Sequence, residues 1–141
     1  MIAIFFSSLT ATVAAKEILV FKCDTVRNKT IKISRIGDRI FYSYGKDQNK
    51  DVEIEKDLYR SDIPGMFSDG IIMANKSGPY IYNTISFDKD EHEYIVTALS
   101  EINVASEKIF SGIYVQKNGI QREKTKCQEG TIKKNFESLY K

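Results

Sequence analysis

The sequence predicts an all-β fold: a single antiparallel β-sandwich or small barrel of about eight strands, closed by a short C-terminal helix. Three observations predict it. Apolar and polar residues alternate with period two in short runs, the pattern of half-buried strands. Turn signals punctuate those runs, above all Gly37-Asp38 and Asn118-Gly119. Helical spacing comes last, where Ile132, Phe136, Leu139 and Tyr140 recur at i, i+4, i+7 and i+8 behind Thr131 as a candidate N-cap.

Taken in order, Val20 to Asp24 belongs to a first strand. Ile31 and Ile33 then alternate with Thr30, Lys32 and Ser34, and the run Arg39 to Tyr44 follows across the Gly37-Asp38 turn as a hairpin. Val52 and Ile54 alternate with Asp51, Glu53 and Glu55, a short strand with one wet face. From Tyr59 to Gly70 the alternation is lost among Ser61, Asp62, Pro64, Gly65, Ser68 and Asp69, which marks a long loop or linker. Strands resume over Gly70 to Ala74 and over Tyr80 to Phe87, the latter apolar enough for a central position. The charged stretch Asp88 to Glu93 forms a hairpin tip before a strand from Tyr94 to Glu101. Ile109 to Gln116 pairs with Ile120 to Cys127 through Lys117-Asn118-Gly119, and the polar run Gln121 to Lys126 suits a sheet edge, where polarity discourages strand-to-strand aggregation.

The chain has 141 residues, enough for one domain, and its 42% hydrophobic content excludes a disordered polymer. Twenty-one basic against 19 acidic residues leave a net charge of +2, too small an excess to argue for nucleic acid. No apolar stretch is long enough for stable membrane insertion. Residues 1–15 carry no charged side chain; Ile2, Ile4, Phe5, Phe6 and Leu9 lead into small residues, with Val13 and Ala15 at the −3 and −1 positions of a signal-peptide cleavage site. A single β-rich domain, residues 16–141, follows, and the expected location is periplasmic or secreted. Cys23 and Cys127, 104 positions apart, suit a disulfide formed in an oxidising compartment. The triplets Asn28-Lys29-Thr30 and Asn75-Lys76-Ser77 are glycosylation sequons that matter only on a eukaryotic secretory route.

Catalytic chemistry is thinly supplied. The one histidine, His92, lies in the charged turn, no GxSxG elbow is present, and the acidic residues Asp88, Asp90, Glu91 and Glu93 lack the spacing of a calcium loop. No cofactor or metal is expected, and the chain reads as non-enzymatic. Tyrosines are more suggestive: Tyr42 with Tyr44, and Tyr80 with Tyr82, each share one strand face, fit for recognition or for ordinary cross-strand packing.

Two segments share a Ser-Gly-x-Tyr pattern, Ser77-Gly78-Pro79-Tyr80 and Ser111-Gly112-Ile113-Tyr114. On these residues, and on the order of signal, early cysteine, strands and late cysteine, the chain resembles the periplasmic lysozyme inhibitors, small exported β-barrels or sandwiches. The resemblance implies a loop entering the lysozyme cleft with its serine near the catalytic carboxylates. The residues implied in partner binding are Lys76, Ser77, Gly78 and Tyr80, with Ser111 and Tyr114 as the second match; Ile109 to Gln116 reads as strand, which favours Ser77. The expected function is therefore an exported binding protein, an inhibitor of a muramidase or another envelope-acting enzyme. A structural or assembly component of the envelope is the alternative, docking through Gln121 to Lys126 or the terminal helix. A hydrolase using carboxylates alone is a third class, which an acidic cleft would favour.

Overall fold

The computed structural model describes residues 4, 15–57, 73–77, 80–99 and 110–140. Among them are ten strands in two antiparallel sheets packed as a sandwich that does not close into a barrel. The first sheet is built from β1 (Glu17–Asp24), β2 (Thr30–Ile36), β3 (Arg39–Lys46), β4 (Asn49–Asp57) and the two-residue β10 (Lys133–Lys134). Its spatial order is β10-β1-β2-β3-β4. The second contains β5 (Met73–Ser77), β6 (Tyr80–Lys89), β7 (His92–Leu99), β8 (Gly112–Lys117) and β9 (Ile120–Lys126), in sequence order.

Turn chemistry explains these meanders. Gly37-Asp38 joins β2 to β3, and Asn118-Gly119, with φ of +51° and +78°, joins β8 to β9. Two successive positive φ values give the turn whose twist matches that of the strands, and Asn-Gly tolerates it. The charged tip between β6 and β7 narrows to Asp90-Glu91, since Lys89 already pairs with His92. The polar run Gln121 to Lys126 does lie on an edge strand, and β6 is internal, hydrogen-bonded on both sides.

Alternation fills the space between the sheets. Ile31 and Ile33 of β2, Ile40, Tyr42 and Tyr44 of β3, and Val52 and Ile54 of β4 meet Ile85 and Phe87, Val96 and Ala98, and Ile113 and Val115 from the second sheet. A bulge at Val20 lets both Val20 and Phe21 be buried on one strand. The sheets are joined at one corner, where Thr25 bridges Cys127, and there the Cys23–Cys127 disulfide links β1 to the end of β9 with Cα atoms 5.7 Å apart.

The C-terminal helix is shorter than the apolar spacing from Ile132 predicts. It is a 3-10 helix, Phe136–Tyr140, with Phe136 and Leu139 buried in the core and Phe136 stacked on Phe21 at 5.9 Å. Thr131 does not cap it; its hydroxyl donates to the Gln128 carbonyl (2.7 Å) and accepts from the Asp24 N–H (3.1 Å). Lys133 and Lys134 pair instead with Lys22 and Phe21, because the open edge of β1 offers the backbone partners that a first helical turn would leave unsatisfied. The predicted linker Tyr59 to Gly70 lies outside the described residues, as do the start of the predicted strand Gly70 to Ala74 and, apart from residues 4 and 15, the predicted signal segment.

Candidate functional site

Strand direction gathers the two Ser-Gly-x-Tyr segments at one end of the second sheet. β5 ends at Ser77 and β6 begins at Tyr80, and these two are register partners; Lys76 pairs with Ile81. Gly78 lies outside the described residues. β7 returns to that same end at Leu99, paired with Tyr82, and β8 leaves it at Gly112, paired with Thr97. Ser77 and Ser111 therefore flank the same sheet end about three strand spacings, roughly 14 Å, apart.

Ser111 is built into the fold. It is buried, its hydroxyl accepts from the Leu99 N–H at 3.0 Å, and its carbonyl accepts from the Cys127 N–H at 2.8 Å. The disulfide thus braces the strand end that carries Ser111. Tyr114 is half-buried on the outer face of the sheet, its ring 5.0 Å from that of Phe110 and beneath the Lys124 ammonium at 6.0 Å. Phe110 in turn lies under Lys124 and Lys126 at 5.1 and 5.6 Å, so cations line the face beside this end. Neither the gathering of both segments nor the brace is visible in four-residue patterns. They follow from strand order, and a signal for it lay only in the two-residue turns that reverse β6 and β8.

A second polar centre lies at the rim of the sandwich, where the buried Tyr44 reaches the partly exposed Glu123, Lys29 and Asp51, and no sequence pattern singles it out. Tyr42 and Tyr44 both point inward and are only 1% exposed, which removes them from any recognition surface. Tyr44 donates its hydroxyl to Glu123 Oε1 at 2.6 Å, and Thr125 donates to the same oxygen at 3.0 Å. Lys29 stands over the Tyr44 ring at 5.2 Å and pairs with Asp51 at 2.5 Å. Burial first, then the hydrogen bond to the Glu123 carboxylate, raises the Tyr44 hydroxyl far above its ordinary range. His92, half-buried, holds its Nδ1 2.8 Å from the Asp90 carbonyl, so that nitrogen carries the proton.

An open groove of about 460 Å³ crosses the outer face of the first sheet, lined by Glu17, Lys32, Ser34, Phe41, Glu53 and Glu55 among others. It is the acidic cleft that a carboxylate-only hydrolase would use. Hydrogen bonds from Lys32 and Ser34, with the Lys32 charge, lower the Glu17 carboxyl, and Arg39 engages Glu55. A general acid needs the opposite, a carboxyl raised by apolar surroundings or a like charge, so Glu17 does not suit that role.

No family model, curated protein or solved structure matches the chain.

Proposed function

We propose that the chain is an exported, non-catalytic binding protein, its residues 1–15 removed as a signal peptide, that acts on a protein partner in the periplasm or outside the cell. The hairpin carrying Lys76, Ser77 and Tyr80 is its contact loop, and a muramidase is the partner class that the resemblance to periplasmic lysozyme inhibitors implies. One observation carries the reading: Ser77 and Tyr80 are opposed across a hairpin at the sheet end where the second Ser-Gly-x-Tyr segment also begins. Serine and tyrosine offer polar tips at small entropy cost, and a lysine beside them complements the paired carboxylates of a glycosidase cleft. The long-range disulfide supports an oxidising location.

Hydrolysis of peptidoglycan by lysozyme, measured with and without the purified oxidised protein, tests this. Inhibition is expected from the natural sequence and is lost in the double variant Ser77→Arg, Tyr80→Ala. Unchanged inhibition by that variant overturns the reading. A second reading, an assembly component of the envelope, is favoured by the edge position of β9. Capture of a stable envelope complex from periplasmic extract, with no effect on lysozyme, selects it.

A further inference from the structure

Backbone register aligns one row of side-chain positions across the entire first sheet: Lys133 on β10, Lys22 on β1, Lys32 on β2, Ser43 on β3 and Glu53 on β4, each opposite the next. Three lysines thus stand on adjacent strands at about 5 Å spacing, and like charges directly opposite one another destabilise a sheet. Lys32 is compensated by Glu17 at 2.9 Å. Lys22 and Lys133 have no ion pair among the described residues. On the far edge Arg39 engages Glu55 and Asp57, and Lys29 engages Asp51. The Glu53 carboxylate has no partner among the described residues. The face is therefore split, with uncompensated cations on one side and an uncompensated carboxylate three strands from Lys22, about 14 Å away.

We propose that this face is self-complementary and that a second copy of the chain covers it. A two-fold axis parallel to the strands, passing between β2 and β3, sets Lys22 opposite Glu53 of the partner subunit and Lys32 opposite Ser43 of the partner subunit. Symmetry repeats both contacts, as in any isologous dimer. The half-buried Leu19, Ile36 and Phe41 lie on the same face and supply its apolar part. Four strands of about eight residues, flanked by the two-residue β10, span about 19 Å by 27 Å, or about 1,000 Å² for two copies, in the range of weak interfaces. The dimer is weak and, because its contacts are charge pairs at a partly wet surface, sensitive to salt.

Sedimentation velocity of the purified oxidised protein tests this in about 20 mM and about 500 mM NaCl. The expected result is a concentration-dependent dimer at low salt, weakened at least about tenfold at high salt. Lys22→Glu and Glu53→Lys each become monomeric, since each places like charges at both contacts. An equimolar mixture of the two variants recovers the dimer, because the swapped charges meet as opposite pairs, and that recovery also shows both variants folded. If either variant does not fold, Lys22→Gln and Glu53→Gln are expected to weaken the dimer in its place. A monomer at every salt concentration overturns the proposal, as does a dimer indifferent to both reversals. Loss with Lys22→Glu but not with Glu53→Lys also overturns it and points to an anionic polymer on the lysine row.

Discussion

Tyr42 and Tyr44 occupy successive inward positions of β3, yet their hydroxyls meet opposite environments. Tyr42 stacks on Phe87 at 4.7 Å, and its buried hydroxyl has no hydrogen-bond partner among the described residues. Leaving a buried polar group unpaired costs about 1–3 kcal/mol, so Tyr42→Phe is expected to be neutral or stabilising by up to about that amount. Tyr44→Phe removes a hydrogen bond to a carboxylate and is expected to cost about 1.5–3 kcal/mol. Urea unfolding of the two variants at neutral pH measures the contrast. Burial raises both hydroxyls above the ordinary value of 10.0, Tyr42 well above it. The unfolded chain therefore releases these protons near pH 10 while the folded chain keeps them. Their contribution to stability is full below pH 10 and is lost as pH rises above it. Absorbance at 295 nm should accordingly show these two tyrosines ionising only as the protein unfolds. That the pair shares a face was legible in their i, i+2 spacing; which face it was depended on the partner sheet.

At the level of elements, the hairpins were the most legible part, and β8 shows where legibility ends. Gly112 opens that strand under the Phe110 ring, and a Cβ there would lie 2.2 Å from the Thr125 carbonyl oxygen and 2.7 Å from the ring. Gly112→Ala must displace backbone as well as ring, and is expected to lower stability by about 1–3 kcal/mol or more, read as a reduced calorimetric melting temperature. In sequence this glycine stood only as one position of the strand Ile109 to Gln116 and of a Ser-Gly-x-Tyr pattern; its need is for close approach, which only the neighbouring strand imposes. The Asn118-Gly119 turn could be read directly, because those residue types tolerate positive φ. The Asp90-Glu91 turn could not be placed within its charged stretch, since Glu91 at φ +65° has no intrinsic preference for that region. The apolar spacing of Ile132, Phe136 and Leu139 was equally ambiguous. It is satisfied by a two-residue strand followed by a 3-10 turn, because the edge of β1 competes for the same backbone.

The whole molecule depends on one covalent tie between its sheets. Cys23 and Cys127 are both buried, and their bond closes a separation of 104 residues at the corner where β1 passes to the edge of β9. Replacing both by serine is expected to cost about 2–5 kcal/mol, measured as a shift of the urea midpoint, with a matching shift when the natural protein is reduced. The proposed inhibition of a muramidase and the proposed dimerisation are separate at this scale. One is assigned to the end of the second sheet and the other to the outer face of the first. By itself the sequence determined that the chain is antiparallel β, where its tight turns fall, and which cysteines could pair. Those features are set by side-chain period and by local backbone preference, which act over a few residues. Only the tertiary structure decided that there are two sheets, that Tyr42 and Tyr44 lie between them, and that both Ser-Gly-x-Tyr segments gather at one end. It alone also decided that Lys22 stands between Lys32 and Lys133. Pairing between residues more than 100 positions apart is chosen by burial of the whole core, and no local pattern encodes it.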